Sequence, residues 1–314
     1  MTNKDLSVII PVFNESSNLD ELYQRLTDTL KSITDSYEII FINDGSTDNS
    51  ASKILEFAEL NEKIFYINFS RNFGHQVAVS AGLKHCKSKC TVIIDSDLQD
   101  PPELIKSLYA TYKKGYDVVY AKRDGRKGES ALKKLTAKLF YRILNKLTKV
   151  DIPVDTGDFR LIDQKVVNVL NKMKEQDKFL RGQIAWIGLK QTHVLFQRES
   201  RKGGTSSYSY SKMFKLAFDG ITGFSDKPLL FVSRLGFIIS FFSFLVILFA
   251  IFSHFILKQT ITGWTSLIIS VMFIGGIQLI SIGIIGEYIS RINNNVKERP
   301  LYVIASTNLK LEEA

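Results

Sequence analysis

The sequence has only two cysteines among its 314 residues. Cys86 and Cys90 cannot support a disulfide framework, and a zinc site would need further ligands from elsewhere in the chain, so we expect a free, reduced thiol pair. Two glycine-rich motifs are also absent: no G-x-G-x-x-G follows the first predicted strand, and no G-x-x-x-x-G-K-[ST] occurs. These absences argue against a disulfide-stabilised protein and against dinucleotide and P-loop binding.

Charge is missing from two long stretches in the last third of the chain. Residues 235–257 and 264–285 contain no Asp, Glu, Lys or Arg over 23 and 22 residues. A helix rises about 1.5 Å per residue, so each stretch reaches roughly 33 Å, enough to cross a hydrocarbon core of about 30 Å. The alternative, two buried helices of a soluble bundle, would need helices that stay apolar on every side. The pattern therefore favours two transmembrane helices.

The basic residues around these stretches predict their orientation. Lys227 and Arg234 precede the first stretch and three basic residues follow the second, whereas the loop 258–263 carries one Lys. This bias puts both ends of the chain on the cytoplasmic side. Residues 1–5 lack the basic and apolar stretch of a secretory signal, so we expect the first 200 or so residues to remain in the cytoplasm.

The net charge of +9 is concentrated in one segment. Residues 122–149 hold ten Lys and Arg and a local charge of +8, and apolar residues recur at every fourth position of residues 132–147. A helix with one buried stripe and a basic flank is expected; the flank is either simply solvated or attracted to anionic headgroups. A nucleic-acid surface is disfavoured, because the segment has only Phe140 and Tyr141 for base stacking.

Strands and helices alternate along the first 200 residues. Such alternation predicts a doubly wound, mostly parallel sheet, in which ligands lie outside the carboxyl ends of the strands. Short apolar, β-branched runs predict the strands, and helical spacing of apolar residues predicts the helices between them. The predicted strands cover residues 6–11, 37–42, 64–69, 90–94, 117–120 and 192–196; the predicted helices begin near residues 16, 47, 76 and 102.

Four consecutive predicted strands end in polar residues. Each ending alone is ordinary turn chemistry, but together they would meet at one edge of the sheet. Asp95 and Asp97 could place one carboxylate on a hard cation and the other on a bound nucleotide, since Mg²⁺ or Mn²⁺ prefers a few carboxylate oxygens together with phosphates. His75 follows the third ending and either contacts a ligand bound at this edge or only begins a helix. The four endings are residues 11–15, 43–46, 70–74 and 95–97.

Six motifs together resemble the family 2 glycosyltransferases of GT-A fold. More narrowly, the sequence is similar to the polyprenyl-phosphate glycosyltransferases, the bactoprenol glucosyltransferase group related to dolichol-phosphate mannose synthase. The resemblance covers nearly the whole chain, including the two apolar stretches. The motifs are Val-Phe-Asn-Glu (12–15), Asn-Asp-Gly-Ser (43–46), Ser-Arg-Asn-Phe-Gly (70–74), Asp-Ser-Asp-Leu-Gln-Asp-Pro-Pro-Glu (95–103), Asp-Thr-Gly-Asp-Phe-Arg-Leu (155–161) and Phe-Leu-Arg-Gly (179–182).

The sequence departs from the family pattern at three places. The second ending is Asn-Asp-Gly-Ser where the family commonly has Asp-Asp-Gly-Ser, which leaves Asp44 as the expected nucleotide contact. The family's Gly-Glu-Ser-Lys-Tyr is replaced by Gly-Thr-Ser-Ser-Tyr at residues 204–208. The Gln-x-x-Arg-Trp motif is absent, which disfavours a processive polysaccharide synthase.

The resemblance implies an α/β GT-A domain with a Rossmann-like, mostly parallel sheet, followed by interfacial amphipathic helices and two transmembrane helices. The expected units are a catalytic domain (1–209), an amphipathic segment (210–230), a two-helix membrane region (231–290) and a cytoplasmic tail (291–314). The expected location is a bacterial inner membrane, in contact with the lipid bilayer and without a nucleic-acid partner. Glycines in the second apolar stretch permit close helix contact, so a homo-oligomer, for instance a tetramer, is expected.

The resemblance also implies the reaction and its residues. The donor would be a UDP-sugar, with glucose or N-acetylglucosamine as the favoured sugars. The acceptor would be polyprenyl (undecaprenyl) phosphate, and the cofactor would be Mg²⁺ or Mn²⁺. Asp97 and Asp95 would hold the metal, and Asp158, with Asp97 and Arg160, would be catalytic. The lipid phosphate would meet the basic loop of Arg198, Arg201 and Lys202. The nucleotide-sugar would contact Pro11, Asn14, Glu15, Asp44, Ser46, Arg71 and Asp95.

Asp158 would orient the acceptor phosphate or the sugar, or take a residual proton; the alternative is that Gly157 and Asp158 form a helix-entry turn. A second hypothesis for the whole protein is a catalytically silent membrane scaffold that recruits a flippase or a second glycosyltransferase. The three acids Asp95, Asp97 and Asp158 favour the enzyme, because a scaffold has no reason to keep them at one rim.

Overall fold

The computed structural model describes residues 4–124, 156–196, 223, 225–256 and 263–310. In this part of the chain eight strands form one mixed sheet, in the order β7-β5-β6-β4-β1-β2-β3-β8. The predicted α/β architecture with a mostly parallel sheet is confirmed. The strands are β1 (Lys4–Val12), β2 (Tyr37–Asn43), β3 (Ile64–Phe69), β4 (Ser88–Ile93), β5 (Val118–Arg123), β6 (Thr156–Asp163), β7 (Gln191–Phe196) and β8 (Ile304–Thr307).

Helices cover both faces of the sheet. On one face α1, α2 and α4 pack against the strands, and on the other α3, α5 and α6 do so. Both faces of the central strands are therefore buried, which explains why β1 and β2 are nearly continuous apolar runs. The helices are α1 (Leu19–Lys31), α2 (Ser50–Leu60), α3 (His75–His85), α4 (Ile105–Tyr112, after a 3-10 turn at Pro102–Leu104), α5 (Gln164–Lys172), α6 (Leu180–Ile187), α7 (Lys227–Phe255) and α8 (Trp264–Val296).

The strand β6 lies between β4 and β5 and runs antiparallel to both. Phe159 and Leu161 are fully buried on the face covered by α1, α2 and α4, whereas Ile162 belongs to the core on the other face. Because side chains alternate along a strand, Asp158 and Arg160 point to the face of α3 and α6. The structure therefore places Asp158 on a strand and not on a helix-entry turn.

Helix α3 packs unusually close to the sheet. A Cβ atom on Gly82 would lie 2.5 Å from Cγ2 of Ile9 on β1, so only glycine permits this approach. The close packing brings the first turn of α3, which begins at His75, over the carboxyl ends of the central strands.

The two predicted membrane segments are the long helices α7 and α8, and both are long and apolar enough to cross a membrane. The hydroxyl of Tyr288, late in α8, donates to the carbonyl of Ser225, just before α7, at 2.6 Å. The start of the first helix and the end of the second therefore lie on the same side of the pair.

The chain returns to the sheet after α8, at residues that we predicted as a cytoplasmic tail. Strand β8 pairs antiparallel with β3 at the sheet edge. The ring of Tyr302 stacks on Phe69 with ring centroids 4.9 Å apart, and its hydroxyl lies 3.2 Å from Nε2 of His85. The last part of the chain thus belongs structurally to the α/β domain.

Several predicted features lie outside the described residues. These are the basic segment beyond Asp124, the amphipathic segment 210–230 except for its last residues, and the basic loop with Arg198, Arg201 and Lys202.

Candidate active site

A cavity of about 280 Å³ opens at the carboxyl ends of β1, β2 and β4. The predicted residues Pro11, Glu15, Asp44, Asp95 and Asp97 all line it. The structure therefore brings together residues that are up to 86 positions apart in the sequence, as expected for the carboxyl edge of a parallel sheet. The remaining lining residues are Val12, Phe13, Asn72, Gly74, His75 and Ser96.

Asp44 shapes one wall of this cavity through backbone contacts. Its carboxylate accepts the N–H of Phe73 at 2.7 Å and the N–H of Gly74 at 2.9 Å. Burial raises the pKa of Asp44 above its ordinary value, and these two hydrogen bonds oppose the shift. The next residue, Gly45, has φ of +67°, and a Cβ there would lie 2.4 Å from the carbonyl carbon of Arg71, so glycine is required.

Asn14 and Ser46 join the loops that follow β1 and β2. The N–H of Asn14 donates to Oγ of Ser46 at 3.1 Å, and the N–H of Thr47 donates to Oδ1 of Asn14 at 2.8 Å. Asn14 has φ of +56°, a conformation that Asn adopts more readily than most residues. Arg71, predicted as a donor contact, packs its guanidinium over the ring of Phe73 at 4.0 Å. These three predicted residues therefore lie in the loops around the cavity.

Asp95 presents an unsatisfied acceptor to the cavity. Its Oδ1 atom is buried and receives no hydrogen bond from the described residues, while Nε2 of His75 lies 3.6 Å away. Burial, together with the nearby carboxylates of Asp158 and Asp97, raises the pKa of Asp95, and His75 opposes the shift. Asp97 is two residues on, and its Oδ1 accepts the N–H of Gln99 at 3.1 Å.

This pair of carboxylates fits a hard divalent cation. Two acidic oxygens at a cavity rim leave room for phosphate and water ligands, the arrangement that Mg²⁺ prefers. Within the described ranges no group of three or more His, Cys, Asp or Glu side chains forms a complete cage. A cation here would therefore be shared between the protein and a bound phosphate ligand.

Asp158 lies behind His75 and is surrounded by donors from three elements. From α3, Nε2 of His75 lies 3.2 Å from Oδ2, and Nε2 of Gln76 donates to the same atom at 3.1 Å. From α6, Nε of Arg181 donates to Oδ1 at 2.7 Å. On β6 itself, a terminal nitrogen of Arg160 lies 3.7 Å from Oδ1. The carboxylate therefore holds a cluster of cationic and amide donors together.

The charges of this cluster stabilise one another. Burial alone would raise the pKa of Asp158, but Arg181 and His75 outweigh it and hold that pKa well below its usual range. Burial likewise opposes protonation of His75, but Asp158 and Asp95 outweigh it and raise the pKa of His75 to about 9. At neutral pH the cluster therefore contains a carboxylate and an imidazolium.

The two arginines of the cluster differ in exposure. The side chain of Arg160 is 6% exposed, and its guanidinium donates to the carbonyl of Gly157 at 2.8 Å and to that of Asp158 at 3.3 Å. Burial lowers the pKa of Arg160 to about 10. The side chain of Arg181 is 21% exposed, more than that of Arg160.

Two residues of the cluster were not predicted as site residues, Gln76 and Arg181, and a role for His75 was left open. All three lie within or beside motifs that the sequence displayed, Ser-Arg-Asn-Phe-Gly and Phe-Leu-Arg-Gly. Both motifs run into the first turn of a helix, α3 and α6. The motifs were visible in the sequence, but the approach of these side chains to Asp158 depends on how α3 and α6 pack.

The sequence profile described as Glycosyl transferase family 2 matches residues 7–170. An uncharacterized glycosyltransferase, YkcC, of Bacillus subtilis is 45% identical over 95% of this chain and 92% of its own. The SfII prophage-derived bactoprenol glucosyl transferase of Shigella flexneri is 37% identical over 96% and 98%. A prophage bactoprenol glucosyl transferase homolog of Escherichia coli is 36% identical over 95% and 98%.

Among solved structures, glucosyl-3-phosphoglycerate synthase from Mycobacterium tuberculosis, in complex with Mn²⁺, uridine diphosphate and phosphoglyceric acid, aligns with a TM-score of 0.48. The two proteins are 14% identical, and the alignment covers 70% of this chain and 76% of the other. The likeness is too distant to inform on ligands or chemistry.

Proposed function

Because the chain belongs to glycosyltransferase family 2, we propose that it transfers one sugar from a UDP-sugar to a polyprenyl phosphate, with inversion at the anomeric carbon. The product would be a polyprenyl-monophosphate sugar used to modify cell-envelope glycans. One observation carries the proposal: the acidic cavity at the carboxyl edge of the sheet adjoins, through His75, the buried cluster around Asp158. Relatives named bactoprenol glucosyl transferase support the lipid acceptor.

The donor nucleotide would occupy the cavity beside β1, β2 and β4. Pro11, Glu15 and Asp95 would contact uridine and ribose, and Asp44 would act mainly by holding the backbone at Phe73 and Gly74. Asn14 and Ser46 would keep the two rim loops together, with Arg71 at the edge. Glucose and N-acetylglucosamine are the first donors to test.

Asp95 and Asp97 would hold Mg²⁺ or Mn²⁺. When bound, such an ion offsets the negative charge that develops on the diphosphate leaving group. The unsatisfied Oδ1 atom of Asp95 supports this assignment, because a buried carboxylate oxygen without a partner is costly unless a ligand supplies one.

The acceptor phosphate would react without a strong base. A phosphate monoester has a second pKa near 6, so at pH 7 it is mostly a dianion. One of its oxygens attacks the anomeric carbon, the bond from that carbon to the diphosphate oxygen breaks, and UDP leaves. Asp158 has a pKa well below its usual range and accepts hydrogen bonds from several donors, so its proposed role is to orient groups and not to take a proton.

The cations around Asp158 would bind the reacting phosphates. Protonated His75 lines the cavity, Arg181 donates to the Asp158 carboxylate that His75 also contacts, and a guanidinium suits phosphate oxygens. Arg160 is buried against backbone carbonyls, so it would act through Asp158. Fixed charges of this kind stabilise a transition state without reorganising.

The helices α7 and α8 would anchor the site at a bacterial inner membrane. A long isoprenoid cannot leave the bilayer, so the enzyme must stay at its surface. The start of α7 and the end of α8 lie on the same side of the pair, and the basic residues beside them favour the cytoplasmic side for both. The basic loop of Arg198, Arg201 and Lys202 is proposed to meet the lipid phosphate, and homo-oligomerisation through the glycines of α8 stays a prediction.

The proposal is tested with purified protein, undecaprenyl phosphate, Mg²⁺ or Mn²⁺, and each radiolabelled UDP-sugar in turn. We expect label in the lipid phase with one donor, and its loss on removal of the metal with EDTA or in Asp97→Asn. The matched control is Asp28→Asn, an exposed carboxylate on α1.

The outcome against the enzyme is a failure of transfer from every donor although lipid and metal both bind. That result would favour the scaffold that recruits a flippase or a second glycosyltransferase.

A further inference from the structure

Gln76 joins two parts of the site through a single amide. Its Nε2 donates to Oδ2 of Asp158 at 3.1 Å, and its Oε1 accepts the backbone N–H of Leu180 at 3.1 Å. Asp158 lies on β6, and Leu180 is the first residue of α6. The side chain of Gln76, on α3, therefore contacts both the Asp158 carboxylate and the start of α6.

The contact with Gln76 gives the backbone N–H of Leu180 a hydrogen-bond acceptor, which α6 itself does not provide. The first four N–H groups of a helix have no partner within the helix, and a side chain at the N-cap usually supplies one. The N-cap of α6 is Phe179, which makes no side-chain cap hydrogen bond. Gln76 thus caps α6 from outside, and its amide can do so in only one orientation while it donates to a carboxylate.

The residue that follows this cap is Arg181, whose Nε donates to Oδ1 of the same carboxylate at 2.7 Å. Gln76 therefore contacts Asp158 on one oxygen and controls the start of the helix that delivers Arg181 to the other. The arrangement forms a closed loop of contacts from α3 through Asp158 and α6 back to α3.

We propose that Gln76 is a positioning residue for sugar transfer: its amide fixes Arg181 relative to Asp158 by bridging the Asp158 carboxylate and the first N–H of α6. This inference rests on the proposed function for its catalytic consequence, but the bridge itself can be measured without turnover. Gln76 acts through Asp158 and Arg181 and does not contact the reacting atoms.

The test compares Gln76→Met, which keeps the length of the side chain but removes both hydrogen bonds, with Gln24→Met, the same change at an exposed position of α1. Hydrogen–deuterium exchange of the peptide that starts α6 reports on the cap. We expect faster exchange there in Gln76→Met only, a kcat lowered about ten- to a hundredfold, and a KM for the donor within about twofold.

A second variant separates the two halves of the bridge. Gln76→Glu keeps an acceptor for the N–H of Leu180 but turns a carboxylate oxygen toward Asp158. We expect exchange at α6 close to that of the unmodified chain and a kcat lowered at least tenfold. If Gln76→Met does not fold, the kcat of Gln76→Glu still tests the positioning role of the Gln76 amide.

Unchanged exchange at α6 in Gln76→Met would overturn the bridge, and faster exchange with unchanged kcat would overturn its positioning role. If the unmodified chain transfers no sugar from any donor, the proposed function fails instead. The exchange data then decide the bridge by themselves: faster exchange in Gln76→Met supports it, and equal exchange refutes it.

Discussion

Asp158 shows at the scale of one residue how neighbours decide what a carboxylate can do. Donors from α3 and α6 approach both of its oxygens, and its pKa lies well below the usual range. A general base needs a pKa near the working pH, so this environment suits a fixed negative charge that orders cations. The unpartnered oxygen of Asp95, a few ångströms from His75, is the contrasting case.

The first prediction concerns Asp158→Asn. The change keeps the shape of the side chain but removes the charge that holds Arg181 and protonated His75 in place. Hydrogen bonds to charged groups are worth about 1.5–3 kcal/mol, so we expect transfer to fall about ten- to a hundredfold. Initial rates of label transfer to lipid measure this, with Asp28→Asn as control. A loss of less than about threefold would remove the proposed role of Asp158.

At the scale of elements, Asp48 joins the loop before α1 to the start of α2. Its carboxylate accepts the N–H of Ser16 and the N–H of Ser50, each at 3.0 Å. Burial acts to raise the pKa of Asp48, but hydrogen bonds from Ser50 and Ser16 outweigh it and lower that pKa to about 2. The ordinary carboxyl pKa is about 3.9, so the stabilisation is complete above that value and is lost as the pH falls toward 2.

The second prediction is that Asp48→Ala destabilises the protein at pH 7 by about 1.5–3 kcal/mol, the usual effect of losing hydrogen bonds to a charged group. The difference from the unmodified chain should shrink as the pH falls from about 4 to about 2, because Asp48 then becomes protonated. Thermal unfolding in detergent at several pH values measures both effects. A difference that stays constant over this range would show that the charge of Asp48 does not matter.

The third prediction concerns strand β8, which pairs with β3 at the sheet edge and is also held there by side chains. Tyr302→Ala removes the stacking on Phe69 and the contact with His85, and we expect a loss of about 1–3 kcal/mol of stability. Tyr302→Phe keeps the stacked ring and should lose at most about 1 kcal/mol. Unfolding curves of the two variants provide the comparison, and equal losses would contradict a role for ring packing.

At the scale of the whole molecule, α7 and α8 are inserted in the sequence between two strands of one α/β domain, β7 and β8. Strand β7, which ends at Phe196, is the last described element of the domain before α7, and the chain re-enters the sheet as β8 after α8. Further contacts tie the end of α8 to the domain: Oδ1 of Asn295 accepts the N–H of Gln176 at 2.9 Å. The end of α8 is therefore attached to the domain, which restricts the orientation of the domain relative to the helix pair.

The fourth prediction replaces residues 227–296 with a flexible linker of about ten residues, long enough at about 3.3 Å per residue to join the two ends. We expect a protein that binds UDP within about threefold of the full chain and transfers sugar to a short, water-soluble prenyl phosphate. Transfer to undecaprenyl phosphate in vesicles should fall more than tenfold, because the membrane no longer concentrates enzyme and lipid on one surface. Undiminished transfer in vesicles would contradict the need for the anchor.

Much of the sheet could be predicted because its central strands are buried on both faces. Continuous apolar runs such as residues 37–42 and 64–69 predict strands whatever surrounds them, and the observed β2 and β3 match them closely. Strand β6 was not predicted, since only its position between two antiparallel neighbours makes it a strand. Strand β8 has four residues and lies at an edge, and the apolar residues 301–305, which reach into it, were assigned to a cytoplasmic tail.

The residues of the candidate site likewise include some that the sequence could predict and some that it could not. The acids at the strand ends, Asp44, Asp95 and Asp97, could be predicted together because parallel strands must end at one edge. The partners of Asp158 could not, because Gln76 and Arg181 belong to helices whose docking depends on packing such as the approach of Gly82 to Ile9.

By itself the sequence determined the mostly parallel sheet, the family, the two apolar helices and the acidic rim, since each depends on local pattern or on residues adjacent in the chain. Only the tertiary structure decided that Asp158 lies among cations as a fixed charge, that Gln76 caps α6, and that the chain returns from α8 to the sheet. These properties depend on distances between segments far apart in sequence, and such distances exist only after the helices pack on the sheet.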